Sequence, residues 1–140
     1  MQGALNLFQA TMLRWRTRHP YNATHVARVP HALDAARLRA TLATALEETG
    51  LTGYALDAAR GRFSWRGGPA QVELGVVAPA PDPREALRAA IERSLARPFP
   101  RDGAYVPFAF EAISDAGGFW LLVVYDHVVA GGDSAVALLG

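Results

Sequence analysis

A single histidine stands where the most apolar run of the chain ends, and its side chain is the strongest candidate for chemistry in this sequence. The run 119–125 is followed by Asp126 and His127, and four residues later by the glycines Gly131 and Gly132. An imidazole titrates near neutral pH, so it can accept a proton and pass it on as a general base. Glycines after a strand allow a sharp reversal that opens space for a ligand. The pattern indicates a general-base site, and a buried structural histidine beside a plain turn is the alternative.

Other reactive side chains have weaker support. The histidines His19, His25 and His31 are spaced by six residues, but no carboxylates share their spacing, so we predict no metal site. Ser134 lacks the G-x-S-x-G context of a serine nucleophile. The chain contains no cysteine, which excludes disulfides, thiolate metal ligands and cysteine nucleophiles. We therefore expect no tightly bound cofactor.

A basic run closes the first predicted helix, whose apolar face has helical spacing. Cations are favourable at the negative end of a helix dipole, and Pro20 ends the helix. We interpret the run as a solvent-exposed basic surface, with contacts to phosphate as the alternative. The apolar face consists of Leu5, Phe8, Met12 and Trp15, and the basic run of Arg14, Arg16, Arg18 and His19.

Hydrophobic periodicity predicts the elements that position His127. Helices are expected at 34–49 and 82–97, each opened by a capping aspartate. They should pack on one face of a mixed sheet, and a last helix should open at Asp133 and Ser134. We predict one α/β domain spanning 1–140, an α+β two-layer sandwich with 119–125 as an interior strand. The other predicted strands are 24–29, 53–56, 62–65, 72–77 and 106–113, and the helix stripes are Leu38/Leu42/Leu46 and Leu87/Ile91/Leu95.

Composition limits the class of protein. The chain has 140 residues, a formal net charge of +1 and 51% hydrophobic residues, which is typical of a soluble globular domain. It contains no basic tract interleaved with aromatics, so we predict no nucleic-acid partner. No stretch is long and apolar enough for a membrane span. Polar residues interrupt the start before a secretory signal could form, so a cytoplasmic protein is expected.

The segment around His127 resembles the HHxxxDG motif of the condensation-domain and chloramphenicol-acetyltransferase-like acyltransferases. Asp126 stands at the first histidine of that motif and His127 at the second, catalytic one. Gly131 stands at the aspartate, Gly132 matches the glycine, and Ser134 matches a serine often found two places later. The stretches RHPYNATHV, LDAARLRATLATALEE, SLARPFP and FWLLVVYDH also follow the order of the family's N-terminal half.

This resemblance implies a fold, a mechanism and a set of partners. The family has two similar halves facing each other across a tunnel, and this chain would be the N-terminal one. His127 would take a proton from a hydroxyl or amine acceptor, which then attacks an acyl thioester on coenzyme A or on the phosphopantetheine arm of a carrier protein. The resemblance further implies that the chain pairs with a missing C-terminal half, or with another copy in a homo-oligomer.

Two departures from the motif bear on activity. In the family the motif aspartate pairs with an arginine and holds the loop, which Gly131 cannot do; Asp133 is a candidate substitute. Asp126 could orient the imidazole, although neighbours on a strand normally point to opposite faces. These departures keep open an alternative function: a non-catalytic module that binds a carrier protein, an acyl group or a second half-domain.

Overall fold

The computed structural model describes residues 1–78 and 80–139, without the side chains of Ser134 and Leu139. Four helices and eight strands lie in this part of the chain. In chain order they are β1 (Gln2–Ala4), α1 (Leu7–Trp15), β2 (Asn22–Val29), α2 (Ala35–Glu48), β3 (Tyr54–Asp57), β4 (Arg62–Trp65), β5 (Leu74–Val77), α3 (Pro83–Ala96), β6 (Gly103–Ala104), β7 (Phe108–Asp115), β8 (Gly118–Asp126) and α4 (Gly132–Leu139).

The strands form two four-stranded sheets. The first has the order β1-β4-β3-β6, and the second has the order β2-β8-β7-β5. The second sheet is mixed, because β5 pairs parallel to β7 while the other two pairs are antiparallel. Its strand β8 lies between β2 and β7, so the prediction of an interior strand at 119–125 is confirmed. The α+β class with a mixed sheet is confirmed as well.

The two long helices lie on opposite faces of the second sheet, and the expectation that they share one face is wrong. Leu42 and Leu46 of α2 belong to the main core cluster, together with the odd-numbered residues of β8 such as Val123. Ala90 of α3 belongs to a separate cluster with the even-numbered Leu122. Since successive strand residues point to opposite faces, the two helices cover β8 from both sides. The continuous apolar run of β8 reflects this double coverage.

The predicted stripe of α2 is confirmed, whereas that of α3 is rotated. Leu42 and Leu46 are buried. On α3, Leu87 and Ile91 are partly buried against the cluster of Ala90. Leu95 is 45% exposed, whereas the smaller Ala90 and Ser94 are fully buried. Small side chains let the α3 backbone approach the sheet closely, and the larger residues then lie at the margins of the contact.

Capping residues set the starts of the helices as the sequence predicts. The Asp34 side chain accepts from the N–H of Arg37, and Asp82 accepts from the first turn of α3, where Pro83 is the first helical residue. The start of α1 is fixed by a capping box that the sequence analysis missed, between Asn6 and Gln9. The short strands β1 and β6 were missed too, because two or three residues carry no periodic signal. Within the described residues, no helix has the length and hydropathy that a membrane crossing requires.

Candidate functional site

His127 is the first residue after β8, and main-chain hydrogen bonds hold the loop that it opens. The N–H of His127 donates to the Tyr21 carbonyl at 3.1 Å, which fixes the loop to the start of β2. The carbonyl of Asp126 accepts from the N–H of Val129 at 2.9 Å and from that of Ala130 at 3.1 Å. The loop 126–130 is therefore a closed turn that returns onto the end of the strand.

The imidazole of His127 is partly exposed, and one of its nitrogens is held by this turn. Nδ1 lies 3.1 Å from the carbonyl oxygen of Ala130. A carbonyl can only accept, so Nδ1 carries the hydrogen in this contact. In the neutral ring the second nitrogen, Nε2, then has a free lone pair and can accept a proton. The geometry thus matches the requirement for a general base.

Aromatic side chains surround the imidazole. The ring of Tyr21 lies 6.0 Å from that of His127, and Tyr125 meets the imidazole edge-on with centroids 5.9 Å apart. Trp15 of α1 extends the group, with its ring 6.2 Å from that of Tyr21. Aromatic rings thus line the space around the histidine and restrict the orientation of its side chain.

A second histidine lies close to this group. Nε2 of His25 is 3.1 Å from the hydroxyl of Tyr125, and a side chain placed on Gly132 would be in ordinary contact with it, 3.7 Å away. The other two histidines are exposed, His19 in the segment before β2 and His31 in the segment after it. In the described part of the chain no three metal-ligating side chains come together.

Asp126 is fully buried, and its carboxylate faces away from the imidazole. Oδ2 accepts from the Arg16 guanidinium and from the hydroxyl of Tyr105, the latter at 2.6 Å. Oδ1 accepts from the N–H of Val128 at 3.1 Å. Instead of orienting the imidazole directly, Asp126 holds the loop that follows it, through the N–H of Val128.

The groups around the buried Asp126 carboxylate have raised pKa values, so that Arg16 stays charged and the phenols of Tyr54 and Tyr105 stay protonated. Burial alone lowers the pKa of Arg16, but the hydrogen bond with Tyr105 and the charge of Asp126 outweigh it and raise the pKa above its usual value. Burial, and then the charge of Asp126, raise the pKa of Tyr105. The same two causes raise the pKa of Tyr54 to about 12. Both phenols therefore remain protonated, and Tyr105 remains a donor, well above neutral pH.

The remaining motif positions lie around the start of α4. A side chain at Gly131 would meet nothing within 4 Å, and Gly131 does not have positive φ. Asp133 is exposed in the first turn of α4, where a negative charge is favourable, and among the described residues it enters no ion pair. The position of the Ser134 side chain lies outside the described part of the structure.

Two residues of the site, Arg16 and Tyr105, are not predicted by the sequence pattern. Arg16 was counted in the solvent-exposed basic run, but it is buried. Its position carried a signal, because it lies four residues after Met12 and so on the buried side of α1. Tyr105 follows a two-residue strand and has no comparable local signal. The apolar face of α1 was only partly predicted, since Met12 is buried while Phe8 and Trp15 are exposed.

Comparison with known proteins supports the fold. No protein-family model and no curated protein matches the chain. A variant of the starter condensation domain of rhizomide synthetase RzmA superposes with a TM-score of 0.80 at 18% identity, over 99% of this chain and 36% of that one. The first condensation domain of the calcium-dependent antibiotic synthetase, in complex with a substrate analogue, gives a TM-score of 0.79 at 16% identity, over 99% and 35%. An RzmA variant in complex with C8-CoA gives 0.70 at 18% identity, over 91% and 31%.

These likenesses define the fold of the chain. It has the fold of a part of a condensation domain, and the resemblance that the sequence predicted is confirmed at this level. The chain spans about 35% of the length of the solved condensation domains. This share agrees with the expectation that it corresponds to the N-terminal half of that fold rather than to the whole.

Proposed function

We propose that this chain is the N-terminal half of a thioester-dependent acyltransferase that forms an ester or amide bond, with His127 as its general base. The hydrogen bond from Nδ1 to the Ala130 carbonyl is the observation that carries the proposal, because it leaves Nε2 as the proton acceptor. The condensation-domain fold supports it by supplying a known context of acyl transfer. No cysteine or serine nucleophile is needed for this chemistry.

The proposed reaction is a direct transfer. Nε2 of His127 accepts the proton of the acceptor's hydroxyl or amine as its oxygen or nitrogen attacks the thioester carbonyl. The tetrahedral intermediate then collapses, the carbon–sulfur bond breaks, and the thiolate takes the proton from the imidazolium. The imidazole is thereby restored. The donor is an acyl thioester of coenzyme A or of a carrier protein's phosphopantetheine arm, which is a substrate and not a bound cofactor.

A second candidate function is a non-catalytic module that binds a carrier protein, an acyl group or a second half-domain. The glycine at position 131 favours it, because the motif aspartate of the resembling family is missing. The two candidates differ in whether the free Nε2 of His127 is used for proton transfer.

The test is the variant His127→Ala in the full-length protein, assayed with acyl-coenzyme A and acyl-carrier-protein donors and with hydroxyl and amine acceptors. We expect acyl transfer to fall roughly 10²–10⁴-fold, the usual contribution of a positioned acid–base group. Thermal stability should change little, because the ring is partly exposed. His31→Ala is the matched control, since it removes an exposed histidine at the far end of β2.

Two outcomes would contradict the proposal. A His127→Ala variant that transfers acyl groups as fast as the wild type excludes the general-base role. A wild-type protein without transfer from any donor, but with measurable binding of a carrier protein or acyl thioester, leaves the binding module.

A further inference from the structure

We infer that Arg16 is a positioning residue for His127: through the buried carboxylate of Asp126 it fixes the loop whose carbonyl selects the imidazole tautomer. The catalytic consequence of this inference rests on the proposed function. Its structural part, the control of the His127 tautomer, does not.

The guanidinium of Arg16 joins the end of α1 to three groups that lie at least 84 positions further along the chain. Arg16 is the C-cap residue of α1. Its Nη1 donates to Asp126 at the end of β8 and lies 3.4 Å from the hydroxyl of Tyr105, just after β6. Its Nη2 donates to the carbonyl of Pro100, in the segment after α3. A planar guanidinium with several donors in fixed directions is suited to hold three such groups at once.

The carboxylate of Asp126 passes this constraint on to the loop. Its Oδ2 binds Arg16 and Tyr105, so the orientation of the carboxylate is set from outside the loop. Its Oδ1 then accepts from the N–H of Val128, the middle residue of the turn. A second support from the same helix reaches this residue, because Nε2 of Gln9 donates to the Val128 carbonyl at 3.1 Å. Val128 itself is buried.

The position of Val128 decides where the Ala130 carbonyl points. Only two residues separate the N–H held by Asp126 from the carbonyl that accepts from His127 Nδ1, and the N–H of Ala130 is bonded to the Asp126 carbonyl. A shift of the carboxylate therefore moves the hydrogen bond that holds Nδ1 of the imidazole. Without that bond, Nδ1 and Nε2 would share the hydrogen and the base would be correctly presented for only part of the time.

Because the ion pair of Arg16 and Asp126 is buried, it holds the loop in one position. Arg16 and Asp126 are both almost inaccessible to solvent, so water cannot replace either partner, and separating them would leave an uncompensated buried charge. An exposed ion pair would lack this property. Arg28 and Asp115 form a partly exposed ion pair of this weaker kind at the other end of the second sheet.

The test measures the tautomer of His127 by ¹⁵N nuclear magnetic resonance of its ring in the full chain. We expect the wild type to show the Nδ1–H form. The double variant Arg16→Met/Asp126→Leu replaces both charges by apolar groups, a change that buried ion pairs often tolerate, so it keeps the fold testable. It removes the acceptor of the Val128 N–H, and we expect a mixture of tautomers. The single variants Arg16→Met and Asp126→Asn should show the same mixture wherever circular dichroism shows them folded.

Kinetics provide the second readout. The double variant should lose roughly 10–100-fold in kcat, as expected for loss of an outer hydrogen-bond partner, while KM changes little. Arg28→Met is the matched control, because it removes an arginine from an ion pair that does not reach the loop, and it should keep both the tautomer and kcat. A double variant with the wild-type tautomer would overturn the inference. A wild type that transfers no acyl group but shows the Nδ1–H form, lost in the double variant, would overturn the proposed function alone.

Discussion

At the scale of single residues, the side chains of Asp126 and His127 lie on opposite faces of the chain at the end of β8 and contact different groups. Their side chains point apart, as neighbours on a strand do. Asp126 meets the buried Arg16 and Tyr105, and His127 meets the rings of Tyr21 and Tyr125. The residue that stands at the first motif histidine is thus a structural carboxylate. A sequence motif cannot reveal this structural role of Asp126, because its partner Arg16 lies at the end of α1, 110 positions away.

The raised pKa values of the two phenols predict how stability depends on alkaline pH. A free tyrosine ionises near pH 10, whereas burial and the charge of Asp126 raise the pKa of Tyr54 to about 12. The same two causes also raise the pKa of Tyr105. Between these values the unfolded chain loses protons that the folded chain retains. The free energy of unfolding should therefore be steady below about pH 10 and should then fall by up to ~1.4 kcal/mol per pH unit for each group.

Denaturant unfolding between pH 8 and 12, with tyrosine absorbance as the probe of ionisation, measures this dependence. Tyr105→Phe should lower the stability below pH 10, because the Asp126 carboxylate loses a short hydrogen bond, and should make the alkaline decline shallower. A stability that stays flat to pH 12 would show that the phenols ionise in the folded protein as easily as in the unfolded chain.

At the scale of elements, local signals predicted helices better than they predicted what each helix buries. The caps at Asp34 and Asp82 are read directly from sequence, because the hydrogen bonds involved span three residues or fewer. The rotation of α3 about its axis is set by the sheet beneath it, where small residues allow close approach. Leu95 therefore lies at the margin, although the spacing of Leu87, Ile91 and Leu95 fits a helix stripe.

The difference between the two helices can be measured by truncation. Leu42→Ala should cost about 2–5 kcal/mol, because Leu42 is buried in the main core and its loss leaves a cavity. Leu95→Ala is the matched control on α3, and it should cost less than about 1 kcal/mol because much of this side chain is in water. Equal losses in chemical denaturation would mean that α3 has the orientation that the sequence first indicated.

At the scale of the whole molecule, the order of elements was predictable and the layering was not. Hydrophobic periodicity predicted the order of the helices and of the longer strands, and the apolar run of β8 predicted a strand covered on both faces. The side on which each helix lies depends on contacts between elements that are distant in sequence, which local periodicity does not record. The first sheet illustrates the same limit, since its β6 contributes two residues and its β1 three.

Two large aromatic side chains of α1 are exposed, which leads to a prediction about the isolated chain. Phe8 is 62% exposed and Trp15 is 59% exposed on α1. The Trp15 ring lies beside that of Tyr21, which in turn neighbours the imidazole of His127. Exposed apolar patches of this kind mark surfaces that are covered in an assembly. We expect the folded chain of 140 residues to bind a hydrophobic dye at neutral pH and to self-associate in sedimentation experiments.

The variant Phe8→Glu/Trp15→Glu should abolish most of the dye binding and give a monomer, without loss of thermal stability, since neither side chain contributes to the core. Val76→Glu is the matched control: Val76 is 51% exposed on the edge strand β5, on the opposite side of the second sheet from β2, and its replacement should leave dye binding unchanged. A wild-type chain that is monomeric and binds no dye would show that the α1 surface is stable in contact with water and needs no partner. The expectation of a missing half-domain or a second copy over this surface would then be wrong, while the hydrogen bonds that hold His127 would be unaffected.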